Sequence, residues 1–181
     1  MKNNERVIIA GFGGQGVMLM GQILSYAATA ADLNTVWIPS YGPETRGGTA
    51  NCSVTISKEP INAPVVTEPN TLIALNEPSY KKFVDRVKSG GEMIINSSLI
   101  KDVTYREDVK VHEIDAAKIA LDLGNLKVVN MVILGAYIEV TKVFDKTEIF
   151  EIFDKIFTGD KAKLLDLNKQ ALEAGMQAVT E

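Results

Sequence analysis

The sequence predicts one α/β domain, spanning residues 1–181, with a mainly parallel sheet flanked by helices and a helical C-terminal third. Short apolar strands alternate with helices along most of the chain. The first strand, at 6–10, is continuously apolar, as is typical of a parallel strand covered on both faces. It runs directly into a glycine turn and a helix, which is a Rossmann-like start.

Short apolar or alternating runs between turn residues predict the strands. These runs cover 6–10, 35–38, 49–57, 70–75, 93–95 and 109–114. Pro39 ends the second strand because it cannot donate to a sheet ladder. Alternation in the third strand indicates one buried face that includes Cys52, which we interpret as a small buried hydrophobe. In the last strand, His112 lies on the opposite face from Val109 and Val111, and we interpret it as a structural or surface residue.

Apolar residues at three- and four-residue spacing predict the helices. The predicted helices cover 17–33, 78–88, 115–123, 127–142, 146–157 and 161–179. Pro78 fits near a helix start, where its missing amide proton costs little, and Gly124 ends the third helix. We interpret the apolar stripes of the last two helices as core or subunit contacts rather than as a ligand pocket.

Composition excludes several classes of function. With 19 basic and 23 acidic residues, the net charge of −4 disfavours nucleic-acid binding. The chain has one cysteine and one histidine, so a single copy can build neither a zinc site nor an iron-sulfur site of the usual kind, nor an intrachain disulfide. The apolar stretch 128–140 is interrupted and too short to span a membrane. No signal-peptide pattern follows Met1, so we expect a cytoplasmic protein.

Two glycine loops are the candidate functional segments. The first is Gly11-Phe-Gly-Gly-Gln-Gly16, in which Gly11, Gly13 and Gly16 have the G-x-G-x-x-G spacing, and Gly14 and Gln15 complete the turn. Such a loop between a strand and a helix exposes backbone amides to an anion. The acidic residue that binds ribose in dinucleotide sites is missing from the end of the second strand, where Asp32 and Glu44 are the nearest acids.

The second loop follows the second strand. It comprises Tyr41, Gly42, Pro43, Glu44, Thr45, Arg46, Gly47 and Gly48. Glu44 and Arg46 could pair with each other or hold a partner's chain, and Arg46 could also present a bidentate fork to phosphate or carboxylate. Because both loops follow strands of a parallel sheet, we expect them to open on the same edge, where ligands and partners bind.

Three segments together resemble the gamma subunit of 2-oxoacid:ferredoxin oxidoreductases. They are 11–17, 41–48 and the helix segment Asn130-Met-Val-Ile-Leu-Gly-Ala136. Their order and spacing and the chain length agree with that family, so the resemblance covers nearly the whole chain. The form Ser-Tyr-Gly-Pro-Glu, which begins at Ser40, is closer to the 2-oxoglutarate branch than to the pyruvate branch. We assign Asn130, in the third of these segments, a structural role.

The resemblance implies a non-catalytic subunit of an enzyme whose other subunits bind thiamine diphosphate and iron-sulfur clusters. That enzyme decarboxylates a 2-oxoacid, passes two electrons to ferredoxin and transfers the acyl group to coenzyme A. The chain alone would hold no cofactor and no metal, and no catalytic residue is assigned to it. Its partners would be the other subunits, and ferredoxin indirectly, without nucleic acid or membrane. The glycine loops would face those subunits, and the first could hold the coenzyme A diphosphate.

Two other functions remain open from the residues alone. The first glycine loop could serve a self-sufficient nucleotide-binding protein of the Rossmann type. Alternatively, both loops could make only protein contacts, in which case the chain would be a structural adaptor without a ligand.

Overall fold

A computed structural model describes residues 4–42 and 49–180 of this chain. The strands are β1 (Asn4–Phe12), β2 (Asn34–Tyr41), β3 (Thr49–Ser57), β4 (Thr71–Ala74), β5 (Glu92–Asn96) and β6 (Lys110–Ile114). The helices are α1 (Val17–Ala30), α2 (Glu77–Phe83), α3 (Ala116–Asp122), α4 (Val129–Thr141), α5 (Lys146–Ile156) and α6 (Leu165–Thr180). This order confirms the predicted α/β class and the helical C-terminal third.

The six strands form one sheet in the order β2-β3-β1-β4-β5-β6. β1, β4, β5 and β6 are parallel to one another, whereas β3 runs antiparallel to both β1 and β2. The mainly parallel sheet is therefore confirmed, with one antiparallel strand that the sequence pattern did not reveal. β1 and β2 point the same way, because Phe12 and Tyr41 pair with Thr49 and Ala50 at the start of β3.

Several element boundaries differ from the predicted ones. β2 continues through Pro39 to Tyr41. β2 is an edge strand, and a proline is tolerated there where the N–H group that it lacks would face solvent rather than a neighbouring strand. α2 ends at Phe83 and continues only as a 3-10 turn, Val84–Arg86. Likewise, residues 161–164, at the start of the last predicted helix, belong to a 3-10 segment, Gly159–Leu164. Local periodicity does not distinguish these tighter turns from an α-helix.

The sheet has a core on each face, and β1 contributes to both. Val7 and Ile9 pack on the face that carries α1 and the helices of the C-terminal third. Ile8 and Ala10 pack on the other face, against α2 and the 3-10 turn that follows it. Burial on both faces explains why β1 is continuously apolar. Among the described residues, no helix combines the length and the apolar character that crossing a membrane requires.

The helices α4 and α6 pack at unusually close range through two glycines. A Cβ placed on Gly135 would overlap the backbone of Leu172, with its carbonyl carbon at 2.8 Å. Reciprocally, a Cβ on Gly175 would come within 2.7 Å of the carbonyl carbon of Val132. Backbone atoms cannot rotate away as side chains do, so both positions require glycine. This contact gives a physical reason for Gly135 in the segment 130–136.

Cys52 and His112 take the structural places that the sequence predicts. Cys52 is fully buried, and its Sγ lies 3.6 Å from the Val17 carbonyl oxygen, to which the thiol donates. Burial raises the pKa of this thiol from its ordinary value of 9.0 to about 11. His112 is partly exposed on β6, and its Nε2 lies 2.9 Å from Oε2 of Glu92 on β5.

The first prediction concerns Gly135→Ala. In an ordinary helix this change stabilises by about 1 kcal/mol, whereas overlap with the α6 backbone should destabilise this protein by about 3 kcal/mol. Urea unfolding measures the difference. Gly124→Ala serves as the control, because no atom lies within 4 Å of its added Cβ, and it should cost about 1 kcal/mol for its positive φ. A stabilised Gly135→Ala protein would contradict the close packing of α4 on α6.

The second prediction concerns the Cys52 thiol. With its pKa at about 11 rather than 9.0, the thiolate fraction at pH 8 is about 100-fold lower than in the unfolded chain, and alkylation by iodoacetamide should slow at least as much. Because folding raises this pKa, the associated stability is present below pH 9 and is lost as the pH rises toward 11. Cys52→Ala should lose less stability over that window. Rapid native alkylation would show that the thiol is accessible.

Candidate functional site

The loop between β1 and α1 is shaped by two glycines in the left-handed region. Gly14 has φ +94° and Gly16 has φ +78°, conformations that other residues adopt at a cost. Gly16 is the N-cap of α1, where no side chain caps the helix and no acidic residue occupies the first turn. The first backbone amides of this 14-residue helix lie at the positive end of its dipole, and no carboxylate in the first turn neutralises that partial charge.

The side chain of Gln15 turns back toward the end of β1 and stabilises the loop through hydrogen bonds. Its Oε1 accepts a hydrogen bond from the Phe12 amide at 2.6 Å and another from Nδ2 of Asn76 at 2.8 Å. A Cβ on Gly11 would lie 2.7 Å from the same oxygen. Gly11 is therefore needed to make room for Gln15, a packing role in addition to the turn expected from the glycine spacing.

Asn130 brings the distant helix segment 130–136 onto the glycine loop. It lies in the first turn of α4, and a Cβ on Gly16 would come within 2.7 Å of its Cγ. Asn130 is 6% exposed. No hydrogen bond from its side chain occurs among the residues that the structure describes. The structure thus joins two of the three segments that carried the resemblance, and between them it places the side chain of Asn130, which lines a pocket.

A pocket of about 590 Å³ opens beside this contact. Its walls combine apolar side chains with a few polar ones: Gly14, Gln15, Gly16, Leu19, Leu75, Asn96, Leu99, Ala117, Leu126, Lys127, Val129 and Asn130. A smaller hollow of about 210 Å³ shares Leu19, Lys127 and Asn130 with it and extends toward Ile156 and Phe157. We call these two adjoining hollows together the loop groove.

The loop groove lies where ligands usually bind in an α/β sheet. α1 leaves β1 toward one face, and α2 leaves the neighbouring β4 toward the other, which makes this the topological switch point. The chain therefore diverges here and opens a crevice outside the carboxyl ends of the strands. This position agrees with the edge predicted for the first glycine loop.

The polar groups around the groove are mainly donors. Because Oε1 of Gln15 is already engaged twice, its amide nitrogen remains for the groove. The α1 amides and the exposed ammonium of Lys127 add positive charge. No Asp or Glu is among the described residues that line either hollow. Asn96 is satisfied internally by the Leu75 carbonyl and the Ser98 amide. Such a surface suits an anion or a carbonyl-rich ligand.

The second glycine loop lies mostly outside the described residues. Tyr41 is 71% exposed at the end of β2, and the Gly42 amide donates to the Thr49 carbonyl at 2.8 Å. Pro43, Glu44, Arg46, Gly47 and Gly48 fall in the undescribed range 43–48. The common edge of the two loops follows from the direction of β1 and β2, while any contact between them stays a prediction.

The topology also explains why the dinucleotide pattern is incomplete. In a Rossmann site the second strand lies next to the first, about 5 Å away, and its terminal acid reaches the ribose. Here β3 lies between β1 and β2, so the end of β2 is about 10 Å from β1. The absence of the acidic residue at the end of β2 therefore agrees with a strand order that differs from that of a Rossmann site. Within 4–42 and 49–180, no three His, Cys, Asp or Glu side chains form a group that could hold a metal ion.

A protein-family model matches this chain from residue 6 to residue 178. That model describes pyruvate ferredoxin/flavodoxin oxidoreductase. The chain belongs to this oxidoreductase family.

Curated relatives of this family member differ in length. The chain is 39% identical, over 97% of its own length, to the ketoisovalerate oxidoreductase subunit VorA of Methanothermobacter thermautotrophicus, but it spans only 36% of that protein. It is 36% identical to the 2-oxoglutarate synthase subunit KorC of Methanocaldococcus jannaschii, over 91% of this chain and 90% of that one. The chain thus spans about a third of the first relative and nearly all of the second.

A solved structure agrees with the fold of this family member. It is the keto/oxoacid ferredoxin oxidoreductase gamma subunit from Geobacter sulfurreducens, with a TM-score of 0.83 and 26% sequence identity. The match covers 97% of this chain and 98% of that one.

The sequence analysis did not identify several residues in or next to the loop groove. Lys127, Asn96 and Asn76 were not singled out, although each stands near the end of a strand or the start of a helix. Asn76 carried a recognisable signal, because an Asn two residues before Pro78 at a strand-to-helix junction is typical of an N-cap. Lys127 carried none, since its position depends on how α4 packs.

The third prediction compares Gly16→Ala with Gly14→Ala in this family member. Both changes put a side chain at positive φ, which costs about 1 kcal/mol. Gly16→Ala must also displace the Asn130 side chain, whereas nothing lies within 4 Å of the Cβ added at Gly14. We expect Gly16→Ala to lose about 1–2 kcal/mol more in urea unfolding. Equal losses would contradict the contact between Gly16 and Asn130.

Proposed function

We propose that this chain is the gamma subunit of a 2-oxoacid:ferredoxin oxidoreductase, an enzyme of EC class 1.2.7. The family membership supports this proposal, as does the near full-length correspondence with a KorC subunit. The enzyme would oxidatively decarboxylate a 2-oxoacid, reduce ferredoxin and form an acyl-coenzyme A. The other subunits, and ferredoxin through them, would be the partners of this chain.

The residues of this chain support a division of labour in which the redox chemistry lies elsewhere. An iron-sulfur cluster is typically held by four thiolates, and this chain has one cysteine. That thiol is buried between β3 and α1, and burial keeps it protonated by raising its pKa to about 11. The chain does not fit a cluster, and the partner subunits would hold the clusters and the thiamine diphosphate.

We propose coenzyme A as the ligand of the loop groove. The observation that carries this part of the proposal is the buried side chain of Asn130, which has hydrogen-bonding capacity left over beside the uncapped start of α1. A diphosphate needs several donors and no nearby carboxylate. Gln15, Asn130, Lys127 and the first amides of α1 would supply those donors, and the apolar walls would cover the remainder of the ligand. Coenzyme A supplies the thiol that accepts the acyl group.

The proposed 2-oxoacid is 2-oxoglutarate. Support comes from the Ser-Tyr-Gly-Pro-Glu form that begins at Ser40 and from the KorC relative of similar length. The VorA relative is named for ketoisovalerate. The activity of the assembled complex toward 2-oxoglutarate, pyruvate and 3-methyl-2-oxobutanoate therefore decides between them, and the highest kcat/KM for 2-oxoglutarate is expected.

The fourth prediction tests subunit identity and coenzyme A binding together. Expressed with its genomic neighbours, the chain should co-purify with a thiamine diphosphate-binding subunit. In that complex, Lys127→Gln should raise the KM for coenzyme A about tenfold, because a charge-assisted hydrogen bond is lost, and should leave the KM for the 2-oxoacid unchanged. Lys155→Gln, an exposed site on α5, should change neither constant.

Three outcomes separate the alternatives. Failure to co-purify, combined with a thermal shift of the chain alone in ADP or NAD, would favour a self-sufficient nucleotide-binding protein. Assembly with an unchanged KM for coenzyme A in both lysine variants would favour the adaptor without a ligand. Assembly with a selective effect of Lys127→Gln supports the proposal.

A further inference from the structure

The orientation of the Gln15 side-chain amide is dictated by its neighbours. Its Oε1 receives the Phe12 amide at 2.6 Å and Nδ2 of Asn76 at 2.8 Å. Turning the amide over would put its NH2 group against two donors and leave both unpaired. The observed orientation therefore keeps the oxygen on these two donors, and it leaves the amide nitrogen as the group that Gln15, a residue lining the loop groove, can offer to a ligand.

Asn76 is itself held in a single orientation. It lies two residues after the end of β4 and is the N-cap of α2, where its Oδ1 accepts a hydrogen bond from the Ser79 amide at 3.0 Å. Since this oxygen is used for the cap, Nδ2 is the atom left to face Gln15. Asn76 is 3% exposed, so water does not compete effectively for these bonds. The start of α2 thus fixes the orientation of the Asn76 amide, and Asn76 in turn fixes the orientation of the Gln15 amide.

This pair crosses the switch point of the sheet. Gln15 belongs to the loop that leaves β1 for one face, and Asn76 belongs to the turn that leaves β4 for the other. Their hydrogen bond ties together the two chain segments that diverge to form the crevice. Asn76 itself is not among the residues that line the groove. Gln15 is the pocket-lining residue to which the Asn76 side chain donates.

We propose that Asn76 is a positioning residue for ligand binding in the loop groove. By fixing the Gln15 amide, Asn76 keeps a donor and not an acceptor directed at the groove, and so selects an anionic ligand of the diphosphate class. A reversed Gln15 would present Oε1 to that anion and repel it. The inference rests on the proposed binding of coenzyme A in the groove, and it adds a residue that does not touch the ligand.

The fifth prediction uses two substitutions that retain the helix cap. Asn76→Ser keeps a cap oxygen but is too short to reach Gln15, and Asn76→Asp keeps the cap and replaces the donor with an acceptor that draws the Gln15 nitrogen inward. In the assembled complex, the KM for coenzyme A should rise about threefold for the serine variant and about tenfold or more for the aspartate variant, with kcat nearly unchanged. Asp145→Ser, which alters the N-terminal cap of α5 at the opposite end of that helix from Ile156, should change neither constant.

The double variant distinguishes positioning from a general structural effect. If Asn76 acts through Gln15, then Asn76→Ser should add less than twofold to the KM for coenzyme A in a Gln15→Ala background. The same increase in both backgrounds would overturn the inference. So would a Tm loss in Asn76→Ser together with a fall in kcat and no selective change in KM.

A separate readout keeps this inference distinct from the proposed function. In the full chain, the side-chain NH2 resonances of Gln15 should shift in Asn76→Asp, and in the unaltered chain they should shift on adding coenzyme A. No shift in Asn76→Asp would overturn the positioning role, whatever the ligand. A shift in Asn76→Asp combined with an unchanged KM for coenzyme A in Gln15→Ala would refute the proposed function and leave the orientation of Gln15 established.

Discussion

The contact between Gly16 and Asn130 is the constraint on which the site depends. Because Gly16 has no Cβ, the start of α4 can lie directly against the start of α1. α4 is in turn held at fixed distance by its glycine-mediated packing on α6. The C-terminal helices therefore determine one wall of a groove whose other wall is a loop near the beginning of the chain. A groove assembled this way can be rigid even though loops line part of it.

The groove and the buried cysteine together explain how this chain can belong to a redox enzyme family without redox ligands of its own. Its single thiol is used for packing, and burial keeps it protonated. A few polar side chains, those of Gln15, Lys127 and Asn130, instead line a concave surface beside the start of α1. Binding and orienting an anionic cofactor requires such donors, whereas electron transfer requires soft metal ligands. The chemistry of the side chains thus matches a binding role.

The glycine pattern predicted correctly that the first loop lies between β1 and α1, and it predicted the construction of that loop only in part. It located the edge of the sheet, because a loop after a parallel strand must open at the carboxyl end. It could not assign separate roles to the glycines. In the structure, Gly11 makes room for Gln15, Gly14 and Gly16 adopt positive φ, and Gly16 also receives Asn130. Only the last role depends on a residue from the far half of the chain.

The sequence by itself determined the α/β class, the burial of β1 on both faces, the buried face of β3 with Cys52 and the absence of enough cysteines for a cluster. These properties depend on local periodicity and composition, which are visible residue by residue. Only the tertiary structure decided that β3 lies between β1 and β2, that Gly135 and Gly175 let α4 meet α6, and that Asn76 orients Gln15. Each of these depends on which distant segments come into contact, and no local pattern shows which backbone will lie against a glycine or which distant side chains will share a hydrogen bond.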